Sequence, residues 1–233
     1  MFETAVSEGV LRLRRPGTRW LSTGPGGGFE RADAAYNVAV PEGFERTDIP
    51  AYVAERRERA GFADSGPALL TGVEMRHARG ARLGPAVAYA TVGLSNPAAL
   101  PQDPADTPAG GDSPTSRPPG TVNLLVGTTR ALDSGAMATL LGVAVEAKAA
   151  TLLTLAGVPG TTTDAAVVAC DPGADTAAFA GSATDVGAAT RACVREAVRA
   201  GFAARYAGGG APDSVADAEH GVVTDERAEV FEP

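Results

Sequence analysis

From Val10 to Ser22 apolar and polar residues alternate, with Pro16-Gly17 in the middle of the run. The pattern predicts strands at Val10 to Leu13 and Arg19 to Ser22, joined as a hairpin, because Pro and Gly supply the dihedrals of a tight reversal. Ser22-Thr23-Gly24-Pro25-Gly26-Gly27-Gly28 then reads as a loop whose missing side chains permit positive φ and close approach of a ligand to the backbone. Further strands are expected at Ala34 to Val40, Ala68 to Val73, Ala86 to Val92, Thr121 to Val126 and Ala165 to Ala169. The segments 68–73 and 86–92 are too apolar for one-sided surface strands, so the sheet should be covered on both faces.

Three helices complete the pattern. Pro50 to Ala60 reads as short and solvent-facing. Ser134 to Ala156 is long and Ala-rich, with Asp133 or Ser134 as N-cap and Gly157-Val158-Pro159 as its stop. Asp185 to Ala207 is amphipathic, with Val186, Ala189, Val194, Val198 and Phe202 as the buried stripe and Gly208-Gly209-Gly210 beyond its end. Residues 97–119 are Pro, Asp, Gly, Thr and Ser with almost nothing to bury, which predicts a flexible insertion rather than a domain boundary. The expected fold is α/β (or α+β): a single domain over 1–210 with a mixed sheet and flanking helices. An acidic tail over 211–233 follows, solvated or docked as a strand at Val222-Val223.

Composition narrows the function. A chain of 233 residues at 44% hydrophobic content can bury a sizeable core. The 28 acids and 20 bases give −8, yet seven acids against Arg227 fall in the tail, so the body is nearly balanced. No basic patch clusters anywhere, and neither nucleic acid nor an anionic membrane is an expected partner. Glu146 and Lys148 interrupt the longest apolar run, and Glu3 and Glu8 stand where a leader would be basic. The expectation is therefore no membrane span and no signal peptide. With only Cys170 and Cys193, a reduced cytoplasmic protein is expected, and two histidines cannot build a multi-histidine metal site.

The depleted residue types point to chemistry. Lys occurs only at 148, among nineteen Arg, and Asn only at 37, 96 and 123, in an acidic, archaeal-like composition that fits a GC-rich genome. Small polar residues gather at Ser22-Thr23-Gly24, Gly93-Leu94-Ser95-Asn96, Gly120-Thr121-Val122-Asn123 and Thr161-Thr162-Thr163-Asp164, each beside an apolar segment that can aim a hydroxyl or amide. Glu146 and Lys148 project roughly 200° apart on a helix and need separate partners. No phosphate-binding Gly-rich loop, His-x-x-x-His pair, Gly-x-Ser-x-Gly elbow or Cys-x-x-Cys is present, and His77 and His220 lie outside the clusters.

Taken in order, these segments resemble one family. They are Arg19-Trp20-Leu21-Ser22-Thr23-Gly24, Asn37, Leu70-Thr71-Gly72-Val73, Thr91-Val92-Gly93-Leu94-Ser95-Asn96-Pro97, Gly120-Thr121-Val122-Asn123, Glu146-Ala147-Lys148, Thr163-Asp164-Ala165 and Phe179-Ala180-Gly181-Ser182-Ala183-Thr184. Together they look like the adenosylcobinamide amidohydrolases of corrinoid salvage. The resemblance implies hydrolysis of the amide that joins the corrin's propionyl arm to aminopropanol, giving adenosylcobyric acid in the salvage of vitamin B12. It implies a small-molecule corrinoid as partner, whose cobalt arrives with the substrate, and no permanently bound cofactor.

Roles follow from what amide hydrolysis requires: a nucleophile or held water, a base, and donors for the developing oxyanion. Ser95 or Thr163 is the candidate nucleophile or water-positioning hydroxyl, and Asp164 or Glu146 the candidate base. Asn96, Asn123 and Lys148 are the candidate donors. Ser22, Thr23, Gly24, Gly26, Gly27, Asn37 and Thr121 are expected to contact substrate. Two alternatives stay open: a corrinoid-binding protein without hydrolytic activity, and an autoprocessed amidase or acyltransferase cut at Gly160-Thr161. Assembly into a homo-oligomer is left open as well.

Overall fold

The computed structural model describes residues 2–103, 120–212, 215–218 and 220–233. Of the insertion expected over 97–119, residues 104–119 lie outside the described residues, and its start is a short strand, β7 (Pro97–Ala99).

Strands β1 (Glu3–Ser7), β2 (Val10–Ser22), β3 (Gly28–Ala39), β4 (Ala68–Thr71), β5 (Arg79–Leu83), β6 (Ala86–Val92), β8 (Val122–Thr128) and β10 (Ala165–Cys170) form one mixed sheet. Its order is β4-β3-β2-β10-β8-β6-β5, with β1 paired on β2. β3 and β4 run parallel, as do β10 and β8, and the other pairs are antiparallel.

The hairpin expected across Pro16-Gly17 does not form. β2 is a single strand paired with β3 on both sides of a bulge between Arg14 and Thr18. Gly17 takes φ 70° there, and its N–H donates to Asp33. The bulge absorbs the Pro and Gly without reversing the chain, so Leu11, Leu13 and Trp20 all enter one core cluster. The true reversal is the glycine segment 23–27, which joins β2 to β3.

Helices α2 (Ser134–Ala156) and α3 (Asp185–Arg205) cover one face of the sheet. Asp133 caps α2 by accepting from Ala136 N at 2.7 Å, and Gly157 ends it at φ 69°. Helix α2 is long and apolar enough to cross a bilayer, but half of its most apolar stretch is buried in this fold. On α3, Val186, Ala189, Val194 and Val198 are buried as expected, while Phe202 is half-buried and stacks on Tyr206.

On the other face the sheet curls over itself. Leu125 and Val167 pack there against Leu11, Leu13, Trp20 and Leu69, while Leu124 and Val126 face the helices. Helix α1 (Ile49–Arg59) closes the far edge and is not wholly solvent-facing: Tyr52 and Val53 are buried beside Tyr36 and Phe62. A second, small sheet is built from β11 (Val222–Val223), β7 and β9 (Gly160–Thr161), in that order, so the tail docks as a strand.

Candidate active site

Three polar segments far apart in sequence meet at one end of the main sheet. The first follows β6 (Gly93 to Asn96), the second precedes β8 (Gly120, Thr121), and the third is the turn from β9 to β10 (Thr161 to Asp164). Backbone bonds lock them together. Gly93 N donates to Thr121 O at 3.2 Å, Thr162 N to Asn96 O at 3.1 Å, and Gly120 N to Ser95 Oγ. The approach leaves no room at Gly120, where a Cβ would stand 2.5 Å from Ser95 N and 2.6 Å from Gly93 C.

Below this junction Lys148, on α2, pairs with Asp164. The Lys148 and Asp164 side chains are 9% and 14% exposed. Asp164 also accepts from Thr161 N at 3.0 Å, Val122 N at 2.8 Å and the Thr161 hydroxyl. Four donors on one carboxylate satisfy a buried charge that would otherwise be very costly. Gly160 is the gap through which the pair forms: a Cβ there would lie 2.4 Å from Asp164 Oδ2 and 2.7 Å from Lys148 Nζ. With both oxygens engaged, Asp164 as built fixes the turn that carries Thr163 and is not free to act as base. Glu146 leaves the candidate set altogether. It projects from the other side of α2 into solvent and pairs with Arg191 on α3, as the two-residue spacing from Lys148 requires.

Thr162 and Thr163 are the exposed residues of the turn, and of the two Thr163 lines the smaller of the two cavities over the junction. Thr163 Oγ1 lies 3.0 Å from Thr121 Oγ1, donates to Gly120 O at 3.2 Å and accepts from Asn96 Nδ2 at 3.2 Å. Asn96 Nδ2 also bonds Thr162 Oγ1. A second network runs across the inside of the curled sheet. Asn123 Nδ2, on β8, donates to Asn37 Oδ1 on β3 at 2.9 Å and to Leu70 O on β4 at 2.8 Å. Asn37 Nδ2 in turn donates to Thr91 Oγ1 on β6 at 2.9 Å.

Both N–H groups of Asn96 and of Asn123 are engaged inside the protein, so neither amide serves as the expected donor here, while Lys148 spends one of its three N–H groups on Asp164. What the two asparagines leave open is the opposite function. Asn96 Oδ1 and Asn123 Oδ1 are buried and find no donor among the described residues. An unmatched buried acceptor costs about 1–3 kcal/mol.

Two concavities meet over the junction and share Val40 and Gly72. The smaller, about 250 Å³, is largely apolar, walled by Pro25, Phe44 and Leu70 and floored by Thr121 and Thr163. The larger, about 600 Å³, is polar and takes in Ser95, Gly120, Glu42, Glu74, Arg205 and Tyr206.

The glycine loop contributes less than expected. Ser22 Oγ accepts from Gly24 N at 3.0 Å, and Thr23 Oγ1 accepts from Ala166 N at 2.9 Å, which ties β2 to β10. A Cβ on Gly24 would meet Leu69 Cδ2 at 2.6 Å, and one on Gly27 would meet Ser22 O at 2.4 Å. Both glycines serve close chain packing, Gly26 (φ 67°) serves the turn, and Pro25 is the loop residue that reaches the cavity wall.

Tyr206 is a site residue that the motifs did not single out. It accepts from Leu94 N at 2.8 Å, next to Ser95. Burial pushes its pKa up against the opposing effect of that N–H, so the phenol keeps its proton as a donor for the cavity. An aromatic one turn beyond Phe202, in the last turn of the expected amphipathic helix, was the available signal. Among the described residues no three His, Cys, Asp or Glu side chains gather as a metal-ligand set.

The chain is 58% identical to an adenosylcobinamide amidohydrolase of Halobacterium salinarum over the full length of both proteins. To an adenosylcobinamide amidohydrolase of Methanosarcina mazei it is 26% identical, over 79% of this chain and 90% of that one. The sequence profile of the adenosylcobinamide amidohydrolases matches residues 3–209, a span that takes in Ser95, Asn96, Thr121, Lys148, Thr163, Asp164 and Tyr206. By both measures the chain belongs to the adenosylcobinamide amidohydrolase family.

Proposed function

We infer that the protein hydrolyses the amide between the corrin propionyl arm and aminopropanol in adenosylcobinamide, releasing adenosylcobyric acid and aminopropanol. Water adds to the amide carbonyl carbon, the C–N bond breaks, and the amine leaves with a proton. The observation that carries the reading is that the family match encloses all three polar segments that meet at the junction, with Ser95, Gly120, Thr121 and Thr163 on the cavity walls.

The geometry suits this chemistry. A large flat substrate has the broad polar cavity to lie over, with the Ser95, Thr121 and Thr163 hydroxyls where it adjoins the smaller one. Thr163 and Ser95 are the hydroxyls that engage the scissile amide, and Asn96 Nδ2 holds Thr163 in place. Tyr206 is a donor for the carbonyl oxygen as charge develops there. The Asp164–Lys148 pair holds the turn in place. The strand-buried Gly160–Thr161 peptide, with Thr161 engaged twice by Asp164, disfavours self-cleavage at that bond.

The test is incubation of the purified protein with adenosylcobinamide and mass-spectrometric detection of adenosylcobyric acid. Tight binding with an intact amide after hours would overturn the reading in favour of a corrinoid-binding protein.

A further inference from the structure

We propose that residues 220–224 of the C-terminal segment form a positioning strand for the Ser95–Asn96 turn and act through their backbone. The proposal rests on the hydrolase reading above and extends it to a part of the chain beyond the family match, which ends at residue 209.

After α3 the chain returns to the site. Pro212 lines the larger cavity together with Ser95. His220 N donates to Ser95 O, and Thr224 N to Ala99 O, each at 3.1 Å. Between these bonds Val222 and Val223 pair in parallel with Ala98 and Ala99. On its other edge β7 pairs with β9 through Pro97 with Thr161 and Ala98 with Gly160. A two-stranded ribbon of this length is marginal by itself, and the tail supplies the third strand.

The strand so held is continuous with the catalytic turn. Ser95, whose carbonyl takes the His220 N–H, receives Gly120 N on its hydroxyl, and Asn96 reaches Thr162 and Thr163. A clamp on β7 therefore fixes two of the three segments that make the site. The docking is also sterically specific. At Gly221 a Cβ would lie 2.2 Å from Val215 O and 2.6 Å from Val215 Cγ1, so a larger residue must push 220–224 away from the turn at Val215–Asp217. The Arg227–Asp103 pair, 2.6 Å apart but exposed on both sides, adds little.

Three variants test the assignment: Gly221→Val, Thr224→Pro and His220→Ala, each assayed for adenosylcobinamide hydrolysis and for amide hydrogen exchange over residues 95–99. Gly221→Val is expected to speed exchange there and to lower kcat roughly tenfold, as misplaced reacting groups do. KM should stay within about twofold, because binding surfaces elsewhere are untouched. Thr224→Pro, which removes one N–H, should do the same to a smaller degree, and it decides the question if Gly221→Val does not fold. His220→Ala keeps the N–H and should keep kcat.

Faster exchange at 95–99 with unchanged kcat would overturn the proposal. So would a loss in His220→Ala as large as in Gly221→Val, which would assign the effect to the imidazole. Absence of turnover in the unaltered protein would refute the hydrolase reading instead, and the exchange measurement would still report whether the strand holds the turn.

Discussion

The parallel strands β8 and β10 end in two contrasting settings. At their carboxyl ends Arg130 and Asp175 face each other across 3.6 Å in an open groove of about 540 Å³, with side chains 40% and 94% exposed. At their amino ends Lys148 and Asp164 are 9% and 14% exposed, and two asparagine oxygens nearby are buried without a donor among the described residues. Open parallel sheets place ligands at the carboxyl ends of their strands. This fold puts the Lys148–Asp164 pair and the Asn96 and Asn123 amides at the other end, where antiparallel β6, curled β4 and the β9–β10 turn all converge. An exposed ion pair contributes little to stability. A buried one is tolerated only when every polar atom is matched, so its presence marks geometry that the fold is built to hold.

The largest effect should come from breaking the buried pair. Asp164→Ala leaves Lys148 as an uncompensated charge and strips a partner from Thr161 N and Val122 N. Denaturant unfolding should show a loss of about 3–5 kcal/mol, and hydrolysis should disappear. An unchanged midpoint would mean that the two ends of the sheet are energetically alike.

Thr163→Val separates geometry from stability at the same end. It keeps the shape and removes a hydroxyl from the wall of the smaller cavity. We expect kcat to fall about a hundredfold, with unfolding free energy within about 1.5 kcal/mol of the parent. A variant with full turnover would move the chemistry elsewhere, with Ser95 next in line.

A buried phenol whose pKa is raised should respond to pH in the opposite sense to an ion-paired carboxylate. The Tyr36 phenol, fully buried and donating to Asp64 O at 2.6 Å, is pushed up to about 12, mainly by burial. From about pH 10, where an unfolded tyrosine ionises, the unfolded chain releases a proton that the folded one keeps. Its stabilising contribution is complete below that pH and is lost as pH rises towards 12. Tyr36→Phe should flatten the alkaline limb of the stability profile; an unaltered slope would assign that limb to other groups.

The smallest effect belongs to the open end of the sheet. Asp175→Ala should leave both the unfolding midpoint and the turnover number unchanged within error, because its side chain is almost wholly in water. A clear loss of activity there would show that the carboxyl ends take part after all.

Much of this could be read from the chain. Ala86–Val92 and Ser134–Ala156 occupy the expected residues, because period-two and helical patterning are local, and so are the Asp133 cap and the Gly157 stop. Pro16-Gly17 misled, because those two residues serve a bulge as well as a turn, and only pairing with β3 decides between them. Depletion drew attention to Lys148 and the three asparagines, and all four are buried polar residues. Their roles were not legible. Which way an amide turns its N–H and its oxygen depends on what lies across the sheet, and Leu70 and Asn37 are 53 and 86 residues from Asn123. Glu146 and Lys148 share a helix and a motif, yet only packing reveals which one turns inward.

The sequence by itself determined the three helices, the apolar strands of the core, the family and the set of polar residues from which a site could be built, since each is written in local pattern and residue type. Tertiary structure alone decided which of them meet. Asp164 gains its lysine through the gap at Gly160, Thr163 gains Asn96 and Gly120 through the β7–β9 pairing, and Tyr206 enters the cavity from the end of α3. The physical reason is that a buried polar atom is defined by its partners, and here those partners come from segments that only the curled sheet and its small second sheet bring within hydrogen-bonding distance.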